Sequence, residues 1–380
     1  MKTLEVAAQK SSTASKKSVI TFKLGELFCG PGGLGLGAIH AKVGSQFTEY
    51  QIQHEWATDF DKDSCRTYIR NICPDYPESV LCQDVRSLNT EMLSHIDAFA
   101  YGFPCNDFSI VGEQKGFKGE FGHLYTYGVN ILNHFRPKLF IAENVGGIAS
   151  ANDGKAFKKI LSDLEKSGNG YTLTAHLYKA EEYGVPQTRR RVIIVGIDKK
   201  LNLKFKVPAP VTSTKPKTVK EALENPPISK DAYNNEVTSQ SRVVVERLKY
   251  IQPGENAWTA DIPDNLKLNV RGAKLSQIYK RLDPDKPSYT LTGSGGGGTH
   301  GYHWKELRAL TNRERARIQT FPDDFIFEGS KESVRKQIGM AVPPKLSEII
   351  FSSVLKTFAG IEYKNISPNI GEQLALFDHC

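Results

Sequence analysis

Short apolar runs alternate with helical patterns through the first 197 residues, and this alternation confines the chain to a doubly wound α/β layout. Strands are predicted at Phe22–Phe28, Ile52–Thr58, Val80–Cys82, Ala98–Tyr101, Leu139–Ala142, Leu173–Leu177 and Val192–Gly196. Helical stretches lie between them, for example Phe157–Glu165 after the turn Asn152-Asp153-Gly154. Several strands run straight into residues with chemical potential. Phe28 leads into Cys29-Gly30-Pro31-Gly32-Gly33, Thr58 into Asp59, and Cys82 towards Asp84. Tyr101 leads into Gly102-Phe103-Pro104-Cys105, and Ala142 into Glu143-Asn144. On a parallel sheet all of these gather along the carboxyl edge, where open α/β sheets bind ligands.

The pattern lapses after about residue 200. Residues 201–280 are rich in Pro, Asn, Lys and Ser with little periodicity, which predicts an irregular second domain or a large insertion. Residues 311–320 read as a helix, with Thr311 at the N-cap and Glu314 completing a capping box. Ile349–Phe358 reads as another, apolar enough to pack on a core. The expected division is a basic tail (1–19), a first domain (20–200), a second (201–330), a returning segment (331–362) and a tail (363–380). No internal repeat is visible.

A chain of 380 residues buries a full core, and 39% hydrophobic with 24% charged residues is the balance of a soluble protein. No apolar run of membrane-spanning length and no signal peptide are apparent, so a cytoplasmic protein is expected. The six cysteines contain no Cys-x-x-Cys pair and no zinc-ligand spacing, which fits reduced thiols. A formal charge of +8 favours a polyanionic partner, bound in a salt-dependent way.

Gly30, Gly32 and Gly33 allow a tight strand-to-helix turn and a close ligand. Their spacing is neither the dinucleotide nor the P-loop pattern, which argues against NAD and ATP. The residues alone leave open a turn with no ligand. With Asp59 placed for ribose hydroxyls and Asp84 for an adenine amino group, they suit an adenosine cofactor lacking a pyrophosphate. Cys105 follows a buried run stopped by Pro104 and precedes a glycine-rich segment, so it is either a packing cysteine or a nucleophile. Taken alone, Glu143 is equally a strand-end acid paired with a surface lysine, and Arg189-Arg190-Arg191 a solvated turn.

The motifs Phe28-x-Gly30-x-Gly32-Gly33, Gly102-Phe103-Pro104-Cys105, Glu143-Asn144-Val145, Gln187-x-Arg189-x-Arg191 and Gly339-x-Ala341-Val342-Pro343-Pro344 occur in this order. In that order they closely resemble the DNA cytosine-C5 methyltransferases over nearly the whole chain. The resemblance implies a Rossmann-like S-adenosylmethionine-dependent methyltransferase fold, a mixed sheet with helices on both faces, and a smaller irregular target-recognition domain. It implies S-adenosyl-L-methionine as cofactor, held by Phe28, Gly30, Gly32, Gly33, Leu34, Asp59, Phe60, Asp84, Val85, Pro104, Leu124 and Val342. Asp59 stands where the family usually has Glu, Asn106 where Gln is common, and Met340 where Asn is usual.

Cytosine carbon 5 is a poor nucleophile, and a thiolate added to carbon 6 makes it an enamine. Cys105 would supply that thiolate, Glu143 would bond the base near N3, Arg191 would hold O2, and Arg189 would support the cysteine's surroundings. A free thiol is only about 3% ionised at pH 7, so nearby positive charge would help. The target base has to be flipped out of the duplex, and 106–124 would close over it with Ser109 near a phosphate and Gly122 as a hinge. Ser109, Gly122, Thr290 and Thr292 are the expected DNA contacts.

His300 and His303 lack an evident third metal ligand, and we read them as structural. Gln373-Leu374-Ala375-Leu376-Phe377 resembles a sliding-clamp peptide, although a disordered end explains it as well. The expected partners are double-stranded DNA and a cognate restriction endonuclease, with no membrane and a nucleoid location. The rival readings are a tRNA cytosine methyltransferase, a DNA-binding regulator with an impaired site, and a nicotinamide dehydrogenase; the last is disfavoured by the glycine spacing.

Overall fold

The computed structural model describes residues 17–45, 47–103, 124–150, 154–269, 275–293 and 297–370. In chain order these form β1 (Ser18–Leu27), α1 (Gly33–His40), β2 (Lys42–Gly44), β3 (Thr48–Asp59), α2 (Lys62–Ile72), β4 (Val80–Cys82) and β5 (Ala98–Gly102). Next come α3 (Tyr125–Phe135), β6 (Leu139–Val145), α4 (Lys155–Lys166), β7 (Tyr171–Lys179), β8 (Gln187–Thr188) and β9 (Arg190–Asp198). The remainder holds β10 (Val207–Pro208), α5 (Val219–Glu224), α6 (Arg242–Leu248), β11 (Ser288–Tyr289), α7 (Asn312–Ile318), α8 (Lys331–Met340), α9 (Pro344–Ala359) and β12 (Asn365–Ile366).

One eight-stranded sheet organises the molecule, in the order β2-β3-β1-β5-β6-β9-β7 with β4 beside β3. Strands β1, β3, β4, β5 and β6 run parallel. β2 and β9 run against their neighbours, so the sheet is mixed. β9 lies between β6 and β7, and its amino end therefore reaches the same edge as the carboxyl end of β6.

The strands read as unbroken apolar runs because both faces are covered. On β5, Ala98 and Ala100 meet the cluster containing Leu34 of α1 and Ile350 and Val354 of α9. Phe99 and Tyr101 point the other way, onto Leu132 of α3 and Phe157 and Ile160 of α4. Tight alternation of small and large side chains lets α1 and α9 approach one face closely.

Two differences from the expected boundaries have physical causes. β1 ends at Leu27, one residue early, because Phe28 already sits at a positive φ of 54°. Residues 363–370, expected as tail, are tied to the domain by hydrogen bonds: β12 pairs with β10, and Asn369 bonds both the N–H and the carbonyl of Leu177.

Beyond residue 200 the described residues form little sheet, and two of the small cores are built wholly from this part of the chain. Val219, Leu223, Leu282, Trp304 and Ile318 form one; Leu248, Ile251, Ile262, Tyr279 and Tyr302 form the other. The helices α5 and α6 were not anticipated, being only six and seven residues long. α7 does begin at Thr311 with the capping box to Glu314. The stretch Lys331–Ala359 contains an 18-residue apolar window with a mean hydropathy of 1.3. It is two helices with a break at Ala341–Pro343, and 72% of its apolar window is buried inside the protein. We read it as core packing.

Candidate active site

The glycine turn after β1 is built by three positive-φ residues, Phe28 (54°), Gly30 (53°) and Gly32 (98°). A side chain on Gly32 would strike Ile72 and Tyr68, and one on Gly33 would overlap the Val342 carbonyl. Beside Gly30 there is open space. Asp59, at the end of β3, fastens the turn: its carboxylate accepts the Gly30 N–H and the Asp61 N–H, both at 2.9 Å. Burial pushes this carboxyl above its ordinary value, opposed by those amides. Phe60 next to it is 68% exposed.

These features fit an adenosine group: an open backbone cradle, a carboxylate at its rim and an uncovered aromatic face. Asp84 caps the short turn at Val85 and holds Arg86 in a two-pronged pair, with Nη2 at 2.7 Å and Nε at 3.0 Å. It thus has a cation partner that the sequence did not suggest. Val85 and Leu34 are buried, and Leu124 is half-buried against the α3 side of the core.

Beneath the turn lies a polar group no motif named. Glu26, buried on β1, accepts from the Tyr68 hydroxyl at 3.0 Å and is pushed up to about 8 by burial. Tyr68 also meets His54 Nδ1 at 3.2 Å. The signal was present: an acid inside the apolar run Leu24–Phe28 needs a buried partner.

At the neighbouring strand ends, β9 pairs antiparallel with β6 so that Glu143 faces Ile193 and Val145 faces Arg191 across the ladder. Glu143 Oε1 lies 2.8 Å from Arg191 Nε, with each side chain only 12% exposed. Burial raises the Glu143 carboxyl, while Arg191 and Arg189 pull it back down. Arg191 also donates to the Arg190 carbonyl at 2.7 Å. Arg189 is fully buried and donates through Nη2 to the Gly339 and Ala341 carbonyls, both at 2.9 Å. Its Nε and Nη1 are buried without a partner. Burial and the nearby Arg191 lower this guanidinium well below its ordinary value, with Glu143 opposing.

Sequence reasoning also missed the polar web that carries these arginines. Gln187 bonds Gln319 Oε1 at 2.7 Å, and Gln319 in turn donates to the Ile338 and Ala341 carbonyls. Asn144 donates to the Phe103 carbonyl at 3.0 Å and so holds the end of β5. Pro104, Cys105, Ser109 and Gly122 lie outside the described residues, as does 373–377. Thr290 donates to the Thr188 carbonyl at 2.6 Å, while Thr292 lies against Gly339. Met340 is 66% exposed. His303 Nδ1 accepts two backbone N–H groups, and no metal-sized cluster of His, Cys, Asp or Glu occurs among the described residues.

Comparison with known proteins agrees with this geometry. Residues 22–356 match the family model for C-5 cytosine-specific DNA methylases. The chain is 59% identical over 353 residues to the Type II methyltransferase M.BbvI of Brevibacillus brevis, covering 91% of this chain and 94% of that one. It is 39% identical over 358 residues to M.NgoFVII of Neisseria gonorrhoeae, covering 92% and 89%. A DNA modification methyltransferase encoded within an Escherichia coli prophage superposes with a TM-score of 0.68 at 25% identity, over 89% of this chain and 99% of that one. The Spodoptera frugiperda DNMT2 shares the fold, with a TM-score of 0.59 at 15% identity over 87% and 99%. The chain therefore belongs to the C-5 cytosine-specific DNA methylase family.

Proposed function

We propose that this enzyme methylates carbon 5 of cytosine within a specific duplex DNA sequence, as the modification partner of a restriction endonuclease. The 2.8 Å pair between Glu143 and Arg191 carries the reading. It stands at the carboxyl edge, next to the strand β5 whose chain continues into Pro104 and Cys105. S-adenosylmethionine, when bound, supplies the methyl group as an electrophile. Phe28, Gly30, Gly32, Gly33, Leu34, Asp59, Phe60, Asp84, Val85, Pro104, Leu124 and Val342 would hold it.

The Cys105 thiolate adds to carbon 6 of the extruded base. Glu143, a carboxyl raised by burial, gives its proton to N3 as the ring electrons move there. Arg191 holds the Glu143 carboxylate in place and meets O2. Arg189 fixes the Gly339–Ala341 turn behind the pair. Once carbon 5 is methylated, its proton leaves to water, the Cys105 sulfur departs with its electrons, and the N3 proton returns to Glu143, restoring the neutral aromatic ring and the carboxyl. Residues 201–330 are the proposed reader of DNA sequence, with Ser109, Gly122, Thr290 and Thr292 on the phosphate backbone.

The test is covalent trapping on duplex DNA containing 5-fluorocytosine, where carbon 5 has no proton to lose. The wild-type chain should yield an adduct that survives denaturation, and Cys105→Ser should yield none. Glu143→Gln should lower kcat at least about 100-fold, in line with loss of a positioned proton donor. An adduct that persists in Cys105→Ser would overturn the assignment.

A further inference from the structure

A second group of basic side chains lies apart from the Glu143–Arg191 pair. Arg315 on α7, Arg335 on α8 and His300 on the segment preceding α7 line one cavity of about 360 Å³, together with Ser239, Gln240 and Ser241. His300 ties the two arginines together. Its Nδ1 lies 2.7 Å from Arg335 Nη1, and its carbonyl accepts from Arg315 Nη2. Burial and both guanidiniums push the imidazole down to about 4, so it is neutral. With Nδ1 accepting from Arg335, the ring proton belongs on Nε2, which makes that edge a donor.

Negative charge is what the group lacks. Arg315 is 4% exposed, and among the described residues the one hydrogen-bond partner of its guanidinium is the His300 carbonyl and no carboxylate pairs with it. The adjacent Glu314 is committed to Arg308 and to the Thr311 N–H. Arg335 reaches Glu332 at 3.6 Å, but that carboxylate is 85% exposed. Arg335 Nε is buried with no partner. Glu236 is the other acid on the rim. Burying a cation without its counter-charge is costly, and a guanidinium fork is shaped for the oxygens of a phosphate.

α8 connects this cavity to the reaction centre. Arg335 stands one turn before Gly339, whose carbonyl holds Arg189 and whose Cα packs against Gly293 and Thr292. We propose that the Arg315–His300–Arg335 cavity seats one phosphodiester group of the substrate DNA. This rests on the duplex-DNA reading above. A contact of this kind positions the duplex without reading its sequence.

The experiment measures duplex affinity of the whole enzyme by fluorescence anisotropy across a series of NaCl concentrations. Arg335→Gln should weaken binding about 10-fold at 0.1 M salt, alike for duplexes with and without the target site, and flatten the log–log salt slope by about 0.9. Arg335→Lys should restore most of that slope. Glu332→Gln, which removes the rim carboxylate and leaves the arginines in place, should tighten binding about two-fold, and it answers the question even where Arg335→Gln folds poorly. Unchanged affinity and slope in Arg335→Gln, with cofactor affinity intact, would overturn the proposal. So would inorganic phosphate that binds the wild type and not Arg335→Gln while duplex affinity is equal in both. A wild-type enzyme that fails to bind duplex DNA at all would overturn the functional reading as well.

Discussion

The sheet and the irregular chain between residues 204 and 325 satisfy their backbones by opposite means. In the sheet, ladder bonds do the work, and one deeply buried ionisable group is a carboxylic acid, Glu26, held neutral under the glycine turn. In the irregular part, ladders are few and guanidiniums take their place. Arg281 reaches the carbonyls of Leu248, Ile251, His303 and Trp304. Arg313 reaches those of Tyr233, Pro322 and Phe325, and Arg317 those of Ala222 and Pro226. A segment without periodicity can thus adopt one buried conformation, because each arginine gathers carbonyls from several loops. Loop sequences around such a staple can change without disturbing a strand register.

The largest effect should come from removing a staple. Arg281→Met leaves the carbonyls of Ile251, His303 and Trp304 without their donor, each worth about 1–3 kcal/mol when buried, while Leu248 keeps the Ile251 N–H, so the segments around them should open locally within 240–305. Limited proteolysis should then cut within that range while cofactor affinity persists; a wild-type digestion pattern would break the comparison. A smaller effect should separate the regions by pH. Glu26 holds its proton to about 8 when folded, against an ordinary 4.5. The folded chain therefore binds one more proton than the unfolded chain between those values. That stabilisation is complete below about pH 4.5 and is lost as pH rises towards 8. Melting temperatures measured from pH 5 to 8.5 should fall less steeply in Glu26→Gln than in the wild type, and equal slopes would sink the claim. The smallest effect belongs to a helix end: Thr311→Ala should cost about 1 kcal/mol, read as a shift in the urea midpoint.

What the sequence made legible was whatever is local. The β5 run, the capping box at Thr311 and the glycine turn each declare themselves within a few residues. The direction of β9 does not, since the apolar run Val192–Ile197 reads the same in either orientation, and only pairing with β6 shows how Arg191 comes to Glu143. Gln319 and Asn144 were invisible for another reason: their partners stand far away in the chain, Gln187 being 132 residues from Gln319. α5 and α6 are too short for a 3.6-residue period to register. Arg281 and Arg313 look in sequence like solvated surface charge, and burial alone reveals them as structural.

The glycine turn has one wall that is made very late. Val342 backs Gly33, and the Ser347 hydroxyl donates to the Leu34 carbonyl at 2.8 Å, across 313 positions of chain. Translation delivers the turn 313 positions before this part of its backing. A ribosome-bound intermediate consequently carries an unsupported glycine turn, and competence to modify nearby genetic material should switch on only once α9 has emerged and docked.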